Sequence, residues 1–320
     1  MSDSFPQAIV ELLWRDTQAP NDFPDIRPLL AHYTTVSTLE KIVQGEELWF
    51  SNPLFMNDWE ELEFGMNLGA QVFRTHADLE GACETPENHR QLLDAFSRLF
   101  DDFDRNHAID TYVLCLAEHD SANEDGALSM WRGYGANGNG VALVIDTSRI
   151  RPTVGSPFIA ARVVYASHLE RQEWMVRTVD RMAELLRQHG ATESNLISTA
   201  HYFFERLKLF SLFTKHNGFH EEREWRIVYF SQKDHQRLLA PMIGYSLSAK
   251  GVEPKLKLHL PRVPPEAGGP ISLEEIVAMV LLGPSLSTVV SGAAVRRMLA
   301  LLDKKSLAAR VRASSIPYRA

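Results

Sequence analysis

Three short apolar runs constrain the fold of this chain most: "TYVLCLA" (111–117), "VALVID" (141–146) and "IVAMVLL" (276–282). Each has the length of a buried strand and is bounded by polar or turn residues. Long helical patterns lie between them without regular alternation. "TPENHRQLLDAFSRLFDDFDRN" (85–106) opens with Thr85 as a cap and Pro86 at the first helical position. Two further helices are expected over roughly 167–189 and 193–215; the second is apolar over much of its surface and should pack centrally. Strands scattered among long helices predict a mixed-sheet α+β fold. We expect a single domain over 1–320, with a core at about 28–260, a helical insertion at 167–215 and a C-terminal strand–helix–strand unit at 271–315.

Shorter elements fill in the rest. "QAIVELLWRD" (7–16) reads as a helix, and "STLEKIVQGE" (37–46) as another, with Ser37 and Glu40 spaced as a capping box. "ELWFSN" (47–52), "PFIAARVVYA" (157–166) and "KLKLHL" (255–260) read as strands. Hydrophobic residues make up 45% of the chain, enough for a sizeable core. The net charge of −8 gives no global basic footprint for nucleic acid or anionic lipid. Two cysteines, Cys83 and Cys115, exclude a disulfide framework and suit a reducing compartment. The N-terminus lacks a signal-peptide pattern, and seven apolar residues are too few to span a bilayer. A cytoplasmic protein with no membrane partner is expected; composition does not indicate an oligomeric state.

Common catalytic motifs are missing. There is no Walker A, no dinucleotide-binding glycine fingerprint and no serine-nucleophile elbow. "FHEERE" (219–224) begins like a zinc-hydrolase helix but lacks the second histidine, and the 12 histidines show no ligand spacing, so no metal site is expected. Polar clusters at element ends remain: "HYT" (32–34), "WFSNP" (49–53), "NDWEE" (57–61), "MWRGYG" (130–135) and "EEREWR" (221–226). Each has an ordinary structural reading. His32 suits a hydrogen-bonded histidine near a strand start, Asn57 and Asp58 suit caps, and Trp131 and Tyr134 suit a core.

"HEEREWRIVYF" (220–230) reads as a strand although strands are depleted in Glu. Alternation places Glu222, Glu224 and Arg226 on one face and Arg223, Trp225, Ile227 and Tyr229 on the other. Carboxylates about 6.6 Å apart on one face repel when both ionise. Two readings compete: a solvated salt-bridge row, or acids facing a cleft.

The order of the clusters resembles a widespread bacterial family of unknown function. Its members read HYTS, LxLSNP, NDPxE, CxSE, MWxxYGxxxxGVxLxFD and a late ExExR. The matching stretches here are "HYTT", "LWFSNP", "MNDWEE", "CLAEHD", "MWRGYGANGNGVALVID" and "EEREWR". Trp59 stands where the pattern has proline, and Ala117 where it has serine.

That layout in turn resembles the ADP-ribosyltransferase fold. The resemblance implies NAD as substrate, cleaved at its nicotinamide–ribose bond, with ADP-ribose passing to a protein or nucleic-acid acceptor. Glu224 would be catalytic and Glu222 auxiliary. His32, supported by Tyr33 or Thr34, would bind a ribose, Tyr134 and Trp131 would stack on nicotinamide, and Ser51 and Asn52 would join the NAD site. Arg226 would either keep the glutamates ionised or bind pyrophosphate. Such activities often serve as toxins or phage-defence effectors. The alternatives are an NAD hydrolase on the same fold, or a module that binds a nucleotide or partner without turnover.

Overall fold

The computed structural model describes residues 4–15, 23–56, 59–151, 153–248 and 251–318. Asn57 and Asp58 of the "NDWEE" cluster lie outside the described residues. The strands are β1 Leu29–Thr34, β2 Glu47–Ser51, β3 Thr111–His119, β4 Val141–Asp146, β5 Phe158–Arg162, β6 Val164–Ala166, β7 Thr214–His216, β8 Glu224–Phe230, β9 Ile243–Ser248, β10 Gly251–His259, β11 Val277–Leu282 and β12 Val311–Ala313. The helices are α1 Phe5–Trp14, α2 Val36–Gly45, α3 Trp59–Thr75, α4 Ala77–Ala82, α5 Pro86–Asp102, α6 Leu128–Gly133, α7 His168–His189, α8 Glu193–Phe213, α9 Leu273–Ile276, α10 Val289–Leu301 and α11 Lys305–Ala309. Among the described residues no helix is long and apolar enough to cross a membrane.

Contacts divide the chain into two units. One comprises 1–22, 53–110 and 163–219; the other comprises 23–52, 111–162 and 220–320. The first is helical, with α1, α3, α4, α5, α7 and α8 and the parallel pair β6–β7. Three separate stretches of chain supply these helices. At its centre Phe73 stacks on Phe96 at 4.5 Å and on Phe203 at 4.8 Å. Helix α8 buries Leu196, Ala200, Phe203 and Leu207 completely, in keeping with its apolar sequence. Helix α3 approaches α8 closely because Gly65 and Gly69, one turn apart, have no side chain. A Cβ at Gly69 would lie 2.2 Å from Leu207, and one at Gly65 would lie 2.6 Å from the Ser211 hydroxyl.

The second unit holds a ten-stranded sheet ordered β12-β11-β4-β1-β3-β2-β10-β9, with β8 on the other edge of β3 and β5 beyond β8. The fold is mixed, as expected: β11–β12 is parallel and the other pairs are antiparallel. Two helices, α10 and α11, cross from β11 to β12, the long connection that parallel strands need. One face of the sheet carries the main core, including Leu30, Leu116, Leu143, Ile145 and Trp225. The other carries Ala31, Tyr33, Ala117, Val144 and Trp131.

Several local expectations are corrected. The cap of α2 is Thr35, whose hydroxyl accepts from the Thr38 amide at 3.1 Å. Helix α2 begins at Val36, so Ser37 already lies inside it, and its hydroxyl bonds the Thr35 hydroxyl at 2.9 Å. The run 157–166 is two strands, β5 and β6, which separate where the chain passes from one unit to the other. Helix α8 ends at Phe213, and 214–216 form β7.

Candidate active site

The site is built on β3, whose one edge receives two strands in succession. β1 pairs at Leu29↔His119, Leu30↔Glu118 and Ala31↔Ala117, and β2 pairs at Ser51↔Val113. Cys115 lies at the seam between these two registers. Beyond Ala31, β1 stays with β4, pairing His32↔Leu143, Tyr33↔Ala142 and Thr34↔Val141. The two sub-sheets therefore diverge beside Cys115.

His32 sits at this divergence, with Nδ1 3.3 Å from the Cys115 carbonyl. Burial pushes its pKa below the usual imidazole value; the charge of Lys255 adds to this, and the Cys115 hydrogen bond opposes it. The neutral ring donates from Nδ1 and presents an acceptor at Nε2. On the other edge of β3, Arg226 pairs with Cys115 and Glu224 with Ala117. His32 and Arg226 thus engage Cys115 from opposite edges of β3; by alternation His32 follows the face of Leu30, and Glu224 and Arg226 that of Ala31 and Ala117.

Glu224 and Arg226 form a bidentate ion pair. Arg226 Nε donates to Oε1 at 2.7 Å and Nη2 to Oε2 at 3.2 Å. Glu224 is 4% exposed and Arg226 5% exposed. Glu222 is elsewhere: it closes the 3₁₀ segment Asn217–Glu222 and accepts from the Tyr134 hydroxyl at 3.0 Å. This corrects the expected alternation. Arg223 adopts a left-handed φ of 43°, which breaks the strand pattern, so only Glu224 and Arg226 share a strand face.

A residue given no role from sequence holds this kink. Glu118, in "CLAEHD", bonds its main-chain amide to the Arg223 carbonyl at 3.0 Å. Its carboxylate receives Arg223 at Oε2, and Arg162 and Trp225 Nε1 at Oε1, the last at 2.9 Å. Burial alone would raise the Glu118 pKa; the bonds from Trp225 and Arg223 and the charge of Arg162 outweigh it and hold the pKa below the usual carboxylate value. Its matched position in the cluster order was the available signal.

The remaining candidates divide. Tyr33 accepts the Ala127 amide at 3.1 Å and meets Trp131 edge-on at 4.8 Å. Trp131 is fully buried and donates to the Asp125 carbonyl at 2.9 Å. That corrects its expected stacking role: both rings are core. Tyr134 is 38% exposed and stays accessible. Thr34 is buried at the end of β1. Asn52 is buried and donates to the Thr111 carbonyl at 3.0 Å. Ser51 accepts from Lys255 at 2.9 Å, and Lys255 also meets Glu253 at 3.0 Å. Among the described residues, no group of three His, Cys, Asp or Glu side chains is placed to hold a metal ion.

The arrangement combines a desolvated carboxylate bonded to an arginine and a neutral imidazole with a directed lone pair, both attached to one short stretch of β3, and a half-exposed tyrosine bonded to Glu222 just before β8. No curated protein and no solved structure matches the chain. Residues 130–227, which carry Tyr134, Glu222, Glu224 and Arg226, match the model of a family described as a protein of unknown function (DUF2971).

Proposed function

We propose that the chain is an NAD-consuming ADP-ribosyltransferase. The observation that carries this reading is that Cys115 of β3 is engaged twice: its carbonyl by the His32 ring, and its backbone by pairing with Arg226, the ion-pair partner of Glu224. Nε2 of His32 would accept a hydrogen bond from a ribose hydroxyl. As the bond between ribose and nicotinamide breaks, its electron pair leaves with nicotinamide and positive charge develops on the ribose. The Glu224 carboxylate stabilises that charge, and Arg226 keeps it ionised. The acceptor's nucleophilic atom then bonds to the ribose carbon and gives up its proton to a carboxylate or to solvent.

Incubation with NAD followed by quantification of nicotinamide tests the reading. Release by the parent protein and its loss in Glu224→Gln are expected; full release by the variant would overturn the role of Glu224. Mass spectrometry separates the two outlets: an adduct on a macromolecule marks transfer, and free ADP-ribose alone marks hydrolysis.

One observation favours a second reading. Both Glu224 oxygens are held by Arg226 in a nearly closed environment, as suits a scaffold that binds a nucleotide without turnover. Saturable NAD binding with no nicotinamide release over hours would establish it.

A further inference from the structure

We propose that a half-open apolar pocket in the sheet unit binds an amphipathic monocarboxylate, with its aliphatic chain inside and its head group at Arg151. The pocket has a volume of about 380 Å³, within the range of small-molecule sites. Leu30, Phe50, Phe158, Trp225, Ile227 and Leu258 form its walls. Protein interiors are ordinarily filled to crystal-like density, and walls facing a void forgo their dispersion contacts. An apolar occupant restores them.

Shape and charge narrow the class of ligand. Leu30 on β1 and Ala160 on β5 both line the pocket, and the order β1-β3-β8-β5 separates them by three strand spacings, about 14 Å. That elongated slot suits an extended chain. Among the described lining residues Arg151 is the sole charged one, and no carboxylate lines the space. Arg151 is exposed, so it stands at the mouth, where Thr153 and Ser156 add hydroxyl groups. Neighbouring Glu275 feels the charge of Arg151, while its carboxylate accepts from the Ser272 amide and hydroxyl at 2.8 Å each. A planar guanidinium suits a carboxylate head.

The pocket is separate from the Glu224–Arg226 pair. Trp225 and Ile227 line it, whereas Glu224 and Arg226 alternate with them onto the opposite face of β8. A bound chain would therefore rest on the back of the strand that carries the candidate catalytic pair.

Calorimetric titration with decanoate and, in parallel, 1-decanol provides the test. Saturable one-to-one binding of both is expected. Ala160→Phe should abolish it by filling the slot; if that variant does not fold, Leu258→Trp fills the same space from β10. Arg151→Ala should weaken decanoate about tenfold and leave 1-decanol unchanged. Failure of the parent protein to bind either compound saturably overturns the proposal, as does unchanged binding in a folded slot-filling variant. Equal effects of Arg151→Ala on both compounds overturn the head-group assignment.

Discussion

Two charged clusters flank the same few residues of β3 and β8, and they differ in one respect that decides their energetics. Glu224 and Arg226 are bonded to each other at 4% and 5% exposure. Glu118 meets two bases, and the side chains of Arg162 and Arg223 are 44% and 61% exposed. Coulomb attraction in a dry site is strong, but so is the desolvation it must offset. At the rim, water screens both. The buried pair is therefore sensitive to loss of either partner, while the rim cluster shapes a turn at small energetic cost.

The largest effect is expected at the buried pair. Glu224→Gln removes the carboxylate from a desolvated guanidinium and should destabilise the fold by about 3–5 kcal/mol in denaturant titration. The double variant Glu224→Leu/Arg226→Met replaces both charges with apolar groups and should recover most of that loss. If the double variant is as unstable as the single one, the pair is held by something other than mutual compensation. Activity separates from stability in the same experiment: the double variant should fold well and release no nicotinamide.

This contrast also marks what the sequence could carry. The strands β3, β4 and β11 were legible because seven or fewer apolar residues between polar turns admit few other structures. β9 was missed although "IGYSLS" alternates, because its glycine and two serines dilute the strand signal; it exists through its six-residue pairing with β10. Glu224 and Arg226 were legible as neighbours because strand alternation is local. The displacement of Glu222 was not. It follows from a left-handed Arg223, a residue with no intrinsic leaning toward that region, and Arg223 is held by Glu118 more than 100 residues earlier. Likewise Trp131 suits a core from its sequence and a stacking role only through the resemblance, and the Tyr33 ring against it settles the first.

Two pH windows sharpen the comparison. The His32 pKa is lowered from 6.5, so the unfolded chain binds its proton first as pH falls. His32 therefore contributes stability that is full above about pH 6.5 and is lost as pH falls through its folded value. Glu118 is also lowered, from 4.5, so its contribution is full above about pH 4.5 and is lost below that, through its own folded value. Urea unfolding from pH 8 to 3 should show both limbs. Glu118→Gln should reduce the lower one alone and His32→Phe the upper one alone; His119 and carboxylates such as Asp125 and Asp146, also lowered, carry the remainder. A single variant that removed both limbs would mean that the two groups titrate together.

The smallest effect is expected at the rim. Arg162→Ala removes one of two bases from Glu118 and an Arg–Trp225 contact of 5.7 Å. Because Arg162 is partly exposed, the loss should be about 0.5 kcal/mol or less, far below that at Glu224. Arg223 and the Trp225 indole still hold the carboxylate, so the left-handed turn and the Glu222–Tyr134 bond persist, and nicotinamide release should stay near the parent rate. A loss near 3 kcal/mol would place Arg162 with the buried pair rather than at the rim, and would mean that the shielding of Glu118, whose side chain is 11% exposed, outweighs the exposure of its partners.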